Sequence, residues 1–257
     1  MRFPLAFAAA QLCAGIAVAQ EIPPSERRSG TNFMSAETQA IQADDGSNPG
    51  MLWVLQGGSL WDEPAGASRR SCASCHGEAA TSMRGVAARY PAFDAASGAS
   101  IDLAGKIDQC RMTRQHATSL PRESEELLGL TAYVGHQSRG MPIAPPDDAR
   151  LDAARAEGKR LFQTRMGQLD LSCSSCHDAN WRGRLGGSAV TQAHPTGYPI
   201  YRLEWQTIGS LQRRMRGCMV GVRAEPFAYG SAEFVALELY LAERAAGLAI
   251  ETPAVRP

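Results

Sequence analysis

An all-α chain made of two copies of one helical unit is the fold this sequence predicts. Three observations carry the expectation: a repeated pentapeptide, an ordered series of matches around it, and apolar residues at helical rather than alternating spacing. The pentapeptides are Cys72-Ala73-Ser74-Cys75-His76 and Cys173-Ser174-Ser175-Cys176-His177. Their offset of 101 positions also brings Gly57, Leu60 and Trp61 onto Gly158, Leu161 and Phe162. A shift of 108 brings Tyr90-Pro91, Leu103 and Cys110 onto Tyr198-Pro199, Leu211 and Cys218. A shift of 107 brings Ser124, Glu126, Leu127, Leu128, Leu130, Tyr133 and Val134 onto Ser231, Glu233, Phe234, Val235, Leu237, Tyr240 and Leu241. One unit therefore occurs twice, and the second copy carries an insertion of seven residues between its pentapeptide and its later cysteine.

The elements follow in order. Residues 1–19 read as an export signal: Arg2 supplies the positive charge, Leu5 to Val18 is apolar apart from Gln11, and Ala17-Val18-Ala19 is a small-residue cleavage pattern. That run is shorter than the roughly 20 apolar residues a spanning helix needs, so no membrane span is expected in the mature chain and a periplasmic location is. Residues 20–48 are polar, with Phe33 as their one aromatic, and read as an extended N-terminal arm. The first unit occupies 49–145 and the second 146–257, with the join in Met141-Pro142-Ile143-Ala144-Pro145-Pro146-Asp147-Asp148, where paired prolines break any helix and give a short stiff linker. Leu151–Gln163 carries apolar residues at helical spacing ahead of the second pentapeptide. Ser231–Glu243 does the same with Ser231 as N-cap. Glycine-rich stretches such as Gly183–Ser188 read as loops, and no convincing alternating strand is present.

Composition narrows the function. The 257 residues are 44% hydrophobic and 20% charged, which excludes a disordered or collagen-like chain. Lys+Arg 26 balance Asp+Glu 26, so no global field favours a polyanion and nucleic-acid binding is not expected. Without Cys13 of the export segment, six cysteines remain: Cys72, Cys75, Cys110, Cys173, Cys176 and Cys218. Three disulfides or a zinc knuckle are the competing readings in an exported protein. C-x-x-C-H twice over favours covalent haem c, two thiols a turn apart bonding the haem vinyls while the adjoining imidazole ligates iron. His76 and His177 are then the proximal ligands.

The sixth ligand decides the chemistry. Methionine is the common choice of electron carriers, and Met112, Met141, Met215 and Met219 are candidates. Yet the repeat aligns Cys110 with Cys218. A single disulfide between them is the alternative, but equivalent positions favour the same task done twice, each thiolate on its own iron. The second cysteine lies in Gln212-Arg213-Arg214-Met215-Arg216-Gly217-Cys218-Met219. On a helix Arg214 falls one turn before Cys218 on the same face, where a guanidinium can hold an oxyanion. Cys110 has Lys106 at the matching place with Asp108 nearby, a weaker anion site. A solvated face or a docking surface is the plainer reading of the arginines.

These residues carry a resemblance. Two C-x-x-C-H motifs, each followed by an aligned cysteine, the second in Arg-Arg-Met-Arg-Gly-Cys-Met, resemble the SoxA family, the dihaem subunits of SoxAX thiosulfate-oxidising cytochrome complexes. The resemblance covers nearly the whole mature chain and implies tandem cytochrome c-like domains. It implies an L-cysteine S-thiosulfotransferase that joins thiosulfate oxidatively to a cysteine of the carrier SoxYZ. Electrons then leave through haem to a c-type cytochrome acceptor. Carried over by position, Cys218 is the active-site cysteine, a persulfide that also ligates the second haem iron with His177; His76 and Cys110 ligate the first. Arg214 binds substrate, with Arg213, Arg216 or Arg223 as possible helpers. The monohaem cytochrome SoxX is the implied partner in a heterodimer. Two other functions stay open at this point: a dihaem thiosulfate dehydrogenase that forms tetrathionate without a carrier, and a periplasmic electron carrier whose cysteine ligands only set the potential.

Overall fold

The computed structural model describes residues 21–257, so the expected export segment and its cleavage point lie outside the described residues. Two 3-10 turns, Pro24–Glu26 and Gly30–Phe33, lead to helix α1 (Ala36–Ala43), whose N-cap Ser35 accepts from the Thr38 N–H. The first unit then runs α2 (Met51–Asp62), α3 (Cys72–His76), α4 (Ala79–Ser82), a hairpin of β1 (Ala92–Asp94) and β2 (Ala99–Ile101), α5 (Leu103–Cys110), a π-helical turn at Arg111–Gln115, and α6 (Glu125–His136). The second unit follows as α7 (Asp152–Gln163), α8 (Cys173–His177), the two-residue strands β3 (Arg184–Leu185) and β4 (Ser188–Ala189), β5 (Ile200–Arg202), β6 (Thr207–Gly209), α9 (Leu211–Gly221) and α10 (Ala232–Arg244). A final strand, β7 (Val255–Arg256), pairs parallel with β5.

The helices match the expected repeat. α7 and α10 fall where helical spacing put them, and the Ser231 hydroxyl caps α10 by accepting from the Phe234 N–H at 3.3 Å. The strands correct the reading that found none. Ala92 pairs with Ile101 in the first hairpin and Ile200 with Gly209 in the second, the same register 108 residues on. Strands of three residues are too short to show alternation in sequence. Each hairpin delivers the chain to the cap of the helix that ends in or passes through the later cysteine: Asp102 caps α5 and Ser210 caps α9.

Packing explains the repeated glycines. α2 crosses α6 so closely that a Cβ on Gly57 would sit 2.1 Å from the Gly129 carbonyl oxygen. In the second unit a Cβ on Gly158 would sit 2.0 Å from the Ala236 carbonyl oxygen. The aromatic pair beside each crossing is also preserved, Trp61 with Tyr133 at 5.9 Å and Phe162 with Tyr240 at 5.4 Å between ring centroids. Phe162 and Phe234 are fully buried in the second core with Leu161, Leu237, Leu241 and Met219. Each such side chain contributes about 1.5–3 kcal/mol of transfer free energy.

The join and the arm differ from their expected form. Residues 142–148 are free of helix, as two prolines demand, but they do not stand apart as a linker. Ile143 is buried against Ala88, Ala242, Ala245 and Ile250, and its N–H donates to the Leu248 carbonyl at 2.9 Å. Ile208 of the second unit likewise packs with Val54, Leu128 and Ala132 of the first, so the units share core. The arm is partly helical and is fastened to the second unit rather than extended. Gln42 Oε1 accepts from the Val255 N–H, Gln192 Oε1 accepts from the Arg28 N–H at 2.7 Å, and His194 Nδ1 donates to the Arg28 carbonyl at 2.7 Å. Among the described residues no helix is long and apolar enough to cross a membrane.

Two outcomes follow from this packing. Gly158→Ala forces α7 away from α10 and should cost about 1–3 kcal/mol by denaturant unfolding, whereas Gly187→Ala, with open space around its Cβ, should be neutral. Burial pushes the His194 imidazole down to about 4 from an ordinary value near 6.5. The unfolded chain therefore binds the extra proton between those values, so this stabilisation, about 3 kcal/mol, is complete above pH 6.5 and is lost as pH falls toward 4. Thermal melts across that range should show His194→Gln losing less stability on acidification than the native chain.

Candidate functional site

The second unit builds its site from a five-residue helix. Ser172 and Ser175 form a reciprocal capping box that fixes α8, and one turn of helix then sets Cys173 and Cys176 on a common face. His177 closes the helix with Nδ1 2.7 Å from the Thr191 carbonyl oxygen. A carbonyl only accepts, so Nδ1 carries the proton and Nε2 keeps its lone pair, the orientation an axial ligand requires. Asp178, the next residue, is buried and accepts from Arg244 Nη2 at 2.5 Å, while the Arg244 guanidinium stacks over Phe162 at 4.5 Å.

Facing that imidazole is Cys218, in the later turns of α9. Cys218 is an exposed residue, yet the protein packed around its thiol pushes the thiol upward; hydrogen-bonding contact with His177 and the positive charges of Arg214, His177 and Arg202 outweigh this and leave it below the ordinary thiol value. The neighbouring thiols move the other way. Burial drives Cys173 up to about 12 and raises Cys176, with Cys218 adding to both. Within this cluster Cys218 is the sulfur biased toward thiolate, the nucleophilic and metal-binding form.

The first unit repeats the arrangement. Ser71 caps α3, which carries Cys72, Cys75 and His76, and the Trp61 ring lies 5.7 Å from the His76 ring. Cys110, at the end of α5, is close enough to Cys72 for its charge to raise that thiol, although burial is the larger cause. All six cysteines are free among the described residues, and Cys110 and Cys218 belong to separate clusters. Each cluster thus offers two thiols a turn apart, an imidazole and an aligned cysteine. That set fits the two attachments and two axial positions of a covalent haem. Among the described residues no group of three or more His, Cys, Asp and Glu gathers around one point as a zinc knuckle requires. Of the candidate methionines, Met219 is buried in the apolar core and Met215 packs on it, while Met112 is exposed and Met141 lies beside Gly85.

Charge distinguishes the two clusters. Arg214 lies one turn before Cys218 as expected, and its charge bears on both Cys218 and Tyr198. The other named arginines are engaged elsewhere: Arg213 stacks over Trp205 at 4.3 Å, Arg216 donates to the Phe227 carbonyl and covers Tyr229, and Arg223 donates to Gln168. Arg202, on β5, is the cation that sequence reasoning missed. It is buried, donates from Nε to the Pro257 carbonyl at 2.8 Å and pairs with Glu204, and its charge also reaches Cys218. Its counterpart 108 positions earlier is Asp94, and this corrects the reading of Lys106. Lys106 bonds to Asp94 at 2.8 Å and Gln109 at 2.7 Å, whereas Asp108 is occupied by the Ser119 hydroxyl and the Leu120 N–H.

Paired helical units, each presenting a haem-attachment motif to a later cysteine, define a tandem cytochrome c-type protein. A family model described as SoxA/TsdA, cytochrome c domain matches residues 56–143 and 157–250, and the chain belongs to that family. The L-cysteine S-thiosulfotransferase subunit SoxA of Pseudaminobacter salicylatoxidans is 40% identical over 235 residues, covering 91% of this chain and 82% of that protein. The subunit of the same name from Paracoccus pantotrophus is 33% identical, covering 89% of this chain and 78% of that one. Among solved structures, the crystal structure of SoxXA from P. pantotrophus superposes with a TM-score of 0.86 at 33% identity, over 89% of this chain and 86% of that chain.

The support beneath α8 is open to test. Replacing Arg244 with Met leaves the Asp178 carboxyl buried without its partner and should cost about 3–5 kcal/mol in unfolding experiments. Asp178→Asn in the same chain should recover part of that loss.

Proposed function

We infer that this chain is the dihaem subunit of a thiosulfate-oxidising cytochrome, acting as an L-cysteine S-thiosulfotransferase. The observation that supports the reading is the hydrogen-bonding contact of Cys218 with His177 together with the Arg214 charge that acts on the same thiol. Cys72 and Cys75 would hold one haem c, with His76 and Cys110 as its axial ligands. Cys173 and Cys176 would hold the second, with His177 and Cys218. The groups fall in the units 49–145 and 146–257. When bound, haem supplies a one-electron acceptor within reach of sulfur.

The chain's own residues perform the remaining tasks. Thiosulfate is a dianion, and Arg214 binds it through charge-assisted hydrogen bonds while the charge of Arg202 adds to the field at Cys218. Cys218, held toward thiolate, is the sulfur that meets the incoming sulfane, and a persulfide on Cys218 is the form the family resemblance implies. His177 is held in one tautomer by Thr191, which fixes the ring that faces Cys218. The net reaction joins the sulfane sulfur of thiosulfate to a cysteine of a SoxYZ carrier. The carrier thiol loses its proton, one S–S bond forms, and two electrons depart to a c-type cytochrome acceptor. A monohaem SoxX partner in a heterodimer completes the proposal; the SoxXA neighbour supports it. The export-type N-terminus and the chemistry of haem attachment favour the periplasm.

Turnover assays with thiosulfate, carrier and cytochrome c acceptor test the reading. Cys218→Ser should fall to background, and the native protein should carry an added sulfur mapped to Cys218 by intact-mass and peptide analysis. Arg214→Ala should lower kcat/KM about 10- to 100-fold, the loss of one hydrogen-bonded charge on a charged substrate. Full activity in Cys218→Ser, or equal thiosulfate oxidation without carrier, would overturn the assignment, the latter in favour of tetrathionate formation.

A further inference from the structure

The two clusters can be compared position for position because hairpin, cap and helix keep the same register at a shift of 108. Tyr90, Asp94, Lys106, Gln109 and Cys110 in the first unit stand where Tyr198, Arg202, Arg214, Gly217 and Cys218 stand in the second. The two tyrosines share three corresponding neighbours: the charges of Lys106, Cys110 and Asp94 bear on Tyr90, and those of Arg214, Cys218 and Arg202 on Tyr198, with Arg89 added at the first and Arg256 at the second. The constellation is therefore one site built twice with different charges. At the second copy two guanidiniums, Arg214 and Arg202, act on the thiol, and Arg202 is paired with the exposed Glu204. At the first, Lys106 is paired with the buried Asp94, and the remaining cations lie elsewhere on the cluster, Arg111 acting on Cys72 and Arg89 on Tyr90.

Space differs in the same sense. A Cβ on Gly217 would meet nothing within 4 Å, so the approach to the second cysteine is open on that side. Its counterpart Gln109 fills the equivalent position and is tied down, donating from Nε2 to Asp94 Oδ2 at 2.8 Å while accepting from Lys106. Asp94 is only 4% exposed and is locked further by the Ser97 N–H at 2.9 Å. An anion arriving at Lys106 would have to displace a carboxylate already bonded to it and then lie against that same buried charge.

We propose that Asp94 and Gln109 close the first cysteine site to dianions by clamping Lys106, and that this closure confines thiosulfate-class substrates to Cys218. Asp94 and Gln109 are specificity determinants that act by exclusion, the repulsive half of a discrimination whose attractive half is Arg214 and Arg202. Hydrogen bonds from Lys106, Gln109 and Ser97 hold the Asp94 carboxyl far below the ordinary carboxylate range, so the closure persists across physiological pH. The inference rests on the reading of Cys218 as the thiosulfate site.

Calorimetric titration of the oxidised, haem-loaded chain with inorganic thiosulfate, without carrier, tests it through stoichiometry rather than turnover. The native chain should bind one dianion, weakened about tenfold or more by Arg214→Ala and unaffected by Lys106→Ala. Asp94→Arg, which copies the residue of the second unit, and the gentler pair Asp94→Asn with Gln109→Gly should each add a second site that Lys106→Ala removes. Folding of each variant is checked by its haem spectrum and melting temperature. No second site in either variant, or a native site abolished by Lys106→Ala, would overturn the proposal. Loss of the Arg214 dependence alone would instead overturn the Cys218 reading, while the gain or absence of a Lys106-dependent site still decides the role of Asp94.

Discussion

Everything at the two clusters depends on a helix crossing so tight that it excludes a single methyl group. α2 on α6, and α7 on α10, meet at glycines whose Cβ would strike a carbonyl oxygen of the facing helix. This contact fixes the base on which each short C-x-x-C-H helix sits, with the Trp61 or Phe162 ring wedged beside it. With that base fixed, a three-residue hairpin and a capped helix return the chain so that a cysteine comes back to the motif. The spacing of the repeat is the spacing this geometry demands, which is why it survives in both halves while most other residues have diverged.

On that shared frame the halves have separated by charge and, at Gly217 against Gln109, by space. Exchange of Asp94 for Arg202 and of Lys106 for Arg214 replaces a self-neutralised pair by two guanidiniums without moving a strand or a cap. Opposite charges held beside a sulfur select what approaches it, and a like change in a buried position is felt strongly because little water screens it. On the proposed reading the first unit would serve as scaffold and haem carrier, and the second as the place where substrate sulfur meets protein sulfur. Gln42 and Arg28 of the arm bond to the C-terminal strand and to Gln192 and His194 of the second unit, and so fasten the arm to that unit.

Much of this was legible in the sequence, and for physical reasons. The helices, the haem motifs and the aligned cysteines are held by covalent spacing and close packing, so their positions appear as fixed offsets. Arg214 was legible because a helix places it one turn from Cys218. The hairpins were not, because three residues cannot display a period. The arm was not, because its order comes from partners some two hundred positions away, as with Gln42 and Val255. Arg202 lay within reach: the match of Tyr90-Pro91 to Tyr198-Pro199 extends three residues further to Asp94 and Arg202, where the reversal of charge is the signal. Asp94 was the true partner of Lys106 for the same reason, since the hairpin brings it across while Asp108 turns away to Ser119.

On the proposed reading His76 with Cys110 and His177 with Cys218 would each ligate one haem iron. Electron paramagnetic resonance of the oxidised native chain and of Cys218→Ser measures this most directly. The account predicts two low-spin thiolate-ligated signals in the native chain and the loss of one of them, with the other unchanged, in the variant. Two unaltered signals, or signals characteristic of methionine opposite histidine, would contradict it.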